Sequence, residues 1–238
     1  MSNVVVIGST SGIAGAVIGH YLEDRGNRVA TLGRRPAEHP GIDYHGHLDA
    51  ERLDTVSDAF HHLDEEFGPI DIAVNCIGVW GYATVTDIRD DDLRSMCAIN
   101  LTATIAAIRE EVSRMSEGSG GAIVTVTSAV GSSSAGAGLG VYAATKAGIA
   151  AFTRCAAVEL APRDIRLNCV APGPVRTEMT RLPGESDVDR EDRLGALVSS
   201  GRMAGVGEIA SAIVWLASDS SSYINGTELL AHSGGFSS

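Results

Sequence analysis

The sequence predicts an α/β fold, a single doubly wound parallel sheet with helices on both faces. Three observations lead there. Short apolar runs alternate with longer stretches in which apolar residues recur at helical spacing. The short runs are continuously apolar, as strands covered on both faces are. A glycine-rich segment, "GSTSGIAG" at Gly8–Gly15, joins the first run to the first helical stretch.

Taken in order, "NVVVIG" is a buried strand ending in glycine. From Ile13 to Arg25 the apolar spacing is helical, and Gly26 stops it. "RVATLG" is a second strand and "IDYHGHLD" a third. Ala50–Phe67 is helical, and "IDIAVNCIG" is another buried strand. Asp90–Ser116 is one long helical stretch whose three opening aspartates suit a positive helix N-terminus. "GAIVTVTS" is a strand, Gly140–Leu160 a helix and "IRLNCVAPG" a strand. A helix at Glu208–Ala217 and a strand "TELLA" complete the series.

With 238 residues, 44% hydrophobic and 20% charged, the chain suits one domain spanning 1–238. Its net charge of −12 argues against nucleic acid and anionic membranes as partners. Cys76, Cys97, Cys155 and Cys169 form no CxxC, which fits a reducing compartment. His45 and His47 share a strand face, and His61 and His62 are neighbours, but no third ligand follows at a metal-binding spacing. The start lacks a basic-then-apolar leader and no apolar run approaches a membrane span, so a soluble cytoplasmic protein without metal is expected.

Two segments carry chemistry. In "GVYAATKAG", Tyr142 and Lys146 lie four positions apart, on one face of a helix. Alone, such a pair is as well explained by packing and solvation. In the glycine-rich turn, a backbone without side chains can approach a pyrophosphate at a helix N-terminus. Ligands of such sheets bind at the carboxyl ends of the strands.

On these residues the chain resembles the short-chain dehydrogenase/reductase family, from about Val4 to Gly235. Gly8, Ser9, Thr10, Ser11, Gly12 and Ile13 match its TGxxxGxG loop, with Ile7 in place of threonine and Ala14 in place of the last glycine. "LDA" brings Asp49 to the adenine contact. "NCIG" brings Asn75 and Gly78 to a segment supporting sheet and cofactor. "APGPVRT" brings Pro172, Gly173, Val175 and Thr177 to the nicotinamide side. "CAIN", "TSAVG" and "YAATK" bring Asn100, Ser128, Tyr142 and Lys146 to the family's catalytic positions. The resemblance implies a Rossmann-like fold, a nicotinamide cofactor and interconversion of a ketone and a secondary alcohol. Ser128 and Tyr142 stand one residue farther apart than is commonest in the family. "HSGG" at His232–Gly235 lacks the usual aspartate.

Physical roles follow. A free tyrosine, with a pKa of about 10, is a poor acid and a rare base at neutral pH. A nearby Lys146 ammonium is expected to lower it, leaving Tyr142 as acid in reduction and base in oxidation. By resemblance, Lys146 also holds the nicotinamide ribose. Ser128 would hydrogen-bond the substrate oxygen as charge develops, and Asn100 would anchor a water leading from Lys146 to solvent.

Where the second strand ends, "TLGRRP" places Gly33 at the position of an NAD-selecting acid, followed by Arg34 and Arg35. NADP is therefore expected, NADPH over NADH, with Arg34 the main phosphate contact and Arg35 a solvated neighbour. Ser11, where many NADP-dependent relatives are basic, is a counter-signal.

By resemblance, the substrate pocket is walled by Trp80, Ala129, Val130, Leu139 and residues 179–193, under a lid around 178–205. Trp80 serves equally as cleft wall or core, and the acidic "LPGESDVDRED" equally as mobile lid or solvated loop. Small residues on the Tyr142 helix suggest a homotetramer or homodimer. The alternatives are a 3-oxoacyl-[acyl-carrier-protein] or 3-oxoacyl-CoA reductase and, in another class, a non-catalytic nucleotide-binding subunit or sensor.

Overall fold

Seven strands lie parallel: β1 (Asn3–Ile7), β2 (Arg28–Gly33), β3 (Tyr44–His47), β4 (Ile72–Asn75), β5 (Gly121–Val126), β6 (Ile165–Pro172) and β7 (Glu228–Ala231). Their order across the sheet is β3-β2-β1-β4-β5-β6-β7. This computed structural model describes residues 2–115 and 120–234.

Val4 pairs with Val29 on one side and Ile72 on the other, so β1 is central. Successive side chains of a strand leave opposite faces, and here both faces are covered. Val5 and Ile7 enter one core with Phe60 and Leu63 of α2 (Leu53–Glu66), Ile108 of α4 (Thr104–Arg114) and Leu160 of α5 (Gly140–Leu160). Val4 and Val6 enter the other with Val17 and Ile18 of α1 (Gly12–Glu23) and Ile213 and Leu216 of α7 (Val206–Ala217). That double burial is why the strands are apolar without alternation. Phe60 is fully enclosed, and truncating such a residue to alanine costs about 3–5 kcal/mol.

From β1 the chain winds outward through β2 and β3, then returns to β4 on the other side. The loops leaving β1 and β4 therefore diverge, opening a crevice between their carboxyl ends.

The predicted strands and the helix Gly140–Leu160 coincide with β1–β7 and α5. Two helical stretches differ. Asp90–Ser116 is not one regular helix: α3 (Asp90–Cys97) passes through a π-helical segment, Ala98–Ala103, into α4, and Ser116 lies outside the described residues. Such a wider turn carries no periodicity signal, and π turns gather at functional sites. The acidic "LPGESDVDRED" runs into α6 (Asp187–Gly195), capped by Ser186 accepting from Asp189 N–H.

Candidate active site

The glycine loop lies at the crevice. Gly8 has φ +75°, and a Cβ there would stand 2.8 Å from the Cys76 carbonyl carbon and oxygen at the end of β4. Only glycine allows that crossing. Ser11 caps α1, its Oγ accepting from Ala14 N–H at 3.1 Å. Its hydroxyl is thus held by the helix start rather than presented freely to a ligand. Ser9 is buried and its Oγ has no partner. A Cβ on Gly33 would meet that oxygen at 3.2 Å, so the orphan hydroxyl lies against a buried glycine where β2 ends. This cradle at a helix N-terminus fits a dinucleotide's phosphates and ribose.

Arg34 and Arg35 are exposed just beyond, and neither forms an ion pair among the described residues. Half-buried Asp49 follows β3, its Oδ1 accepting from Glu51 N–H at 3.2 Å. Asn75, expected at the cofactor, turns its amide away into the core to reach Glu111 at 3.0 Å. It braces the sheet, because its strand position faces the helical layer of α4. Val175 and Pro172 are also buried, and Pro172 O accepts from Ala129 N–H at 2.9 Å. Gly173 packs against His232, which a Cβ would meet at 3.0 Å. Thr177 flanks Gly12, with its Cγ2 3.3 Å from where a Cβ on Gly12 would stand.

On α5, Lys146 is only 4% exposed. Its Nζ donates to Val126 O at 2.9 Å and Ile77 O at 3.2 Å. Burial pushes its pKa down to about 8. Gly78 leaves the space it fills, since a Cβ there would meet Nζ at 3.1 Å. Tyr142, one turn earlier, is half-buried. Here the electrostatic expectation is corrected: burial raises the phenol's pKa, and the influence that lowers it is the Ser128 side chain, not Lys146. Lys146 spends its donors on two carbonyls, and desolvation outweighs a cation that is itself buried.

Asn100 sits in the π segment, fully buried. Its Oδ1 accepts from Val79 N–H at 2.8 Å, and its Nδ2 donates to Val79 O at 2.8 Å and Thr145 Oγ1 at 3.1 Å. The side chain staples the loop after Gly78 to α5. Thr145 completes that staple by donating to Tyr142 O at 2.8 Å. Nothing in the residue pattern singled out Thr145. Cys76 lies in the same enclosure, its thiol pushed up to about 12 by burial and hydrogen-bonded with Ser11.

A cavity of about 270 Å³ is bounded, among others, by Trp80, Tyr82, Ile88, Met96, Gly138 and Val141, the last of which precedes Tyr142 on α5. Trp80 belongs to this wall and not to the core, being 38% exposed. Tyr82 and Gly138 pack closely, and Ala83 N–H donates to Gly138 O at 2.9 Å. Ala129, expected in the wall, is fully buried because it sits at the root of its turn. Val130 and Leu139 are half-buried. An open depression at Asp64, Glu110 and Arg114 lies near the amino end of β4, away from this crevice.

Residues 178–205 are pinned by ion pairs: Arg176 with Glu191 at 2.7 Å, Arg193 with Glu185 at 2.6 Å and Arg190 with Asp187 at 2.9 Å. Among the described residues no cluster of His, Cys, Asp and Glu could hold a metal ion, and no helix is long and apolar enough to cross a membrane.

A family model described as "Enoyl-(Acyl carrier protein) reductase" matches residues 12–237. The 3-oxoacyl-[acyl-carrier-protein] reductase FabG of Salmonella typhimurium is 32% identical over 97% of this chain and 95% of its own. Among solved structures, a short-chain dehydrogenase/reductase from Serratia marcescens superposes with a TM-score of 0.88 at 29% identity, covering 100% of this chain and 98% of that one. BdcA in complex with NADPH superposes with a TM-score of 0.85 at 26% identity, covering 100% and 96%. Likeness of sequence and of fold thus runs over nearly the whole chain, which belongs to the short-chain dehydrogenase/reductase family.

Proposed function

We propose that this chain is an NADPH-dependent oxidoreductase interconverting a ketone and a secondary alcohol, with Tyr142, Ser128, Lys146 and Asn100 as its catalytic group. The carrying observation is Tyr142 on α5 one helical turn from buried Lys146, whose Nζ donates to Val126 O at 2.9 Å and Ile77 O at 3.2 Å beside the ends of β5 and β4. The nicotinamide, when bound, supplies or accepts a hydride at the carbonyl carbon.

The chain's residues handle the oxygen and its proton. A phenol kept protonated by burial is the right form to donate to the oxygen during reduction. Ser128 donates a second hydrogen bond to that oxygen as charge grows on it. Lys146 is poised, with a pKa of about 8, to pass a proton toward Tyr142 once a ligand reorganises its bonds. Asn100 keeps the Val79 loop and α5 in register, so the donors stay aimed.

For the cofactor, Gly8, Ser9, Thr10, Ser11, Gly12 and Ile13 would hold the phosphates, and Asp49 would contact the adenine. Gly78, Lys146, Gly173 and Thr177 flank the nicotinamide half. Support for NADPH comes from the absence of an acid at Gly33, from Arg34, which forms no ion pair among the described residues, and from the NADPH complex of a structural neighbour. A 3-oxoacyl thioester is the second reading, favoured by whole-length similarity to FabG. Residues 178–205 serve as the lid of a single domain. Assembly through α4 and α5 into a homotetramer or homodimer, and a cytoplasmic site of action, complete the proposal.

The test follows NADPH oxidation across ketones and 3-oxoacyl thioesters, with Tyr142→Phe alongside. Turnover by the native chain and none by the variant supports the assignment. Equal turnover by both overturns it.

A further inference from the structure

On the edge strand β7, the Glu228 carboxylate reaches across β6 to the loop that carries Ser128. Thr127 Oγ1 donates to Glu228 Oε1 at 2.7 Å, and Ser132 Oγ donates to the same oxygen at 2.6 Å. These donors bracket Ser128. One precedes it directly; the other lies in the turn that follows. That turn is tight: Ser132, Ser133 and Ser134 all direct their N–H groups to Ala129 O, at 3.2, 2.9 and 2.9 Å.

Backbone pairing holds only the near side of the turn. Thr127 N–H donates to Val170 O at 2.8 Å and Ala129 N–H to Pro172 O at 2.9 Å. The far side, 130–134, is tied to the sheet through Ser132 and Glu228. Orientation of Ser128 depends on that far side, because its Oγ accepts from Val130 N–H at 3.2 Å. A chain of contacts thus runs from Glu228 through Ser132 and the turn to Val130, then to Ser128, the side chain that lowers the Tyr142 pKa. Bonds to an ionised acceptor are shorter and stronger than neutral ones, which suits a carboxylate gathering two hydroxyls on one oxygen.

We infer that Glu228 is a positioning residue, setting the aim of the Ser128 hydroxyl from the last strand of the sheet. The inference rests on the proposed catalytic role of Ser128 and Tyr142.

Four full-length variants test it: Glu228→Ala, Glu228→Gln, Ser132→Ala and, as reference, Tyr142→Phe. Each is assayed for kcat and KM, melting temperature and phenolate absorbance against pH. The Tyr142 component of that titration is defined by its loss in Tyr142→Phe. In Glu228→Ala, kcat should fall roughly tenfold, as for a displaced catalytic group, while KM for NADPH stays within about twofold. The Tyr142 titration should move to higher pH, because a misdirected Ser128 no longer lowers it. Gln retains an acceptor oxygen and should recover kcat to within about threefold of the native value. Ser132→Ala, in an exposed turn, should shift the titration the same way and decides the matter if Glu228→Ala does not fold.

A native kcat and titration in both Glu228→Ala and Ser132→Ala overturn the inference. So does an equal loss in Ala and Gln that follows melting temperature. Turnover surviving in Tyr142→Phe instead overturns the oxidoreductase assignment, and the titration then decides Glu228 by itself.

Discussion

Asn75 and Glu111 meet side chain to side chain in the core, Nδ2 donating to Oε2 at 3.0 Å, while Asn75 Oδ1 and Glu111 Oε1 have no partner. Burial pushes the Glu111 carboxyl up to about 8. A proton on Glu111 Oε1 gives the pair the donor that Asn75 Oδ1 lacks.

That raised pKa makes stability fall as pH rises. Between the unfolded value near 4.5 and about 8, the native state binds more protons than the unfolded chain. The stabilising contribution is thus complete below the unfolded value and lost as pH climbs through the folded one. Glu111→Gln carries no such proton. Its melting temperature relative to native should rise from about pH 5 to about pH 9. A difference constant across that range contradicts a titrating Glu111.

Tyr142→Phe should bind cofactor normally and lose roughly 10²–10⁴-fold in kcat, the scale of a removed acid–base group. Lys146→Met should lose cofactor affinity as well, since the proposal has the ammonium hold the ribose too. Fluorescence titration with NADPH separates the two. Equal affinity in both variants counts against the second role of Lys146.

Gly78→Ala directs a methyl at Lys146 Nζ, 3.1 Å away. The ammonium must retreat from Val126 O or Ile77 O, so turnover should fall roughly tenfold or more while the fold holds. Circular dichroism with steady-state kinetics checks this. An unimpaired variant means that the Lys146 position is not critical.

Gly33→Asp with Arg34→Leu should reverse the cofactor preference. The carboxylate repels a 2′-phosphate, and the lost guanidinium removes a charge-assisted bond of about 1.5–3 kcal/mol, roughly ten- to hundredfold in kcat/KM. Comparing kcat/KM for NADPH and NADH in both proteins decides it. A native preference for NADH, or one untouched by the change, refutes the role given to Arg34.

The sequence by itself determined the order of strands and helices, because burial on both faces demands continuous apolar runs such as "NVVVIG" and "GAIVTVTS". It also located the glycine-rich turn between the first strand and the first helix, while only the packed fold shows Gly8 crossing the Cys76 carbonyl too closely for any side chain. It placed Tyr142 and Lys146 on one helix face, a consequence of local periodicity alone. The tertiary structure decided everything that depends on who faces whom. Asn75 turned to Glu111, and Asn100 spent its amide on Val79 and Thr145. Burial, not Lys146, came to dominate the Tyr142 phenol. The ion pairs that organise the acidic segment around α6, and the grip of Glu228 on Thr127 and Ser132, likewise join residues separated along the chain. Spacing encodes contacts within one helix or strand. Desolvation and partner choice are properties of the packed whole.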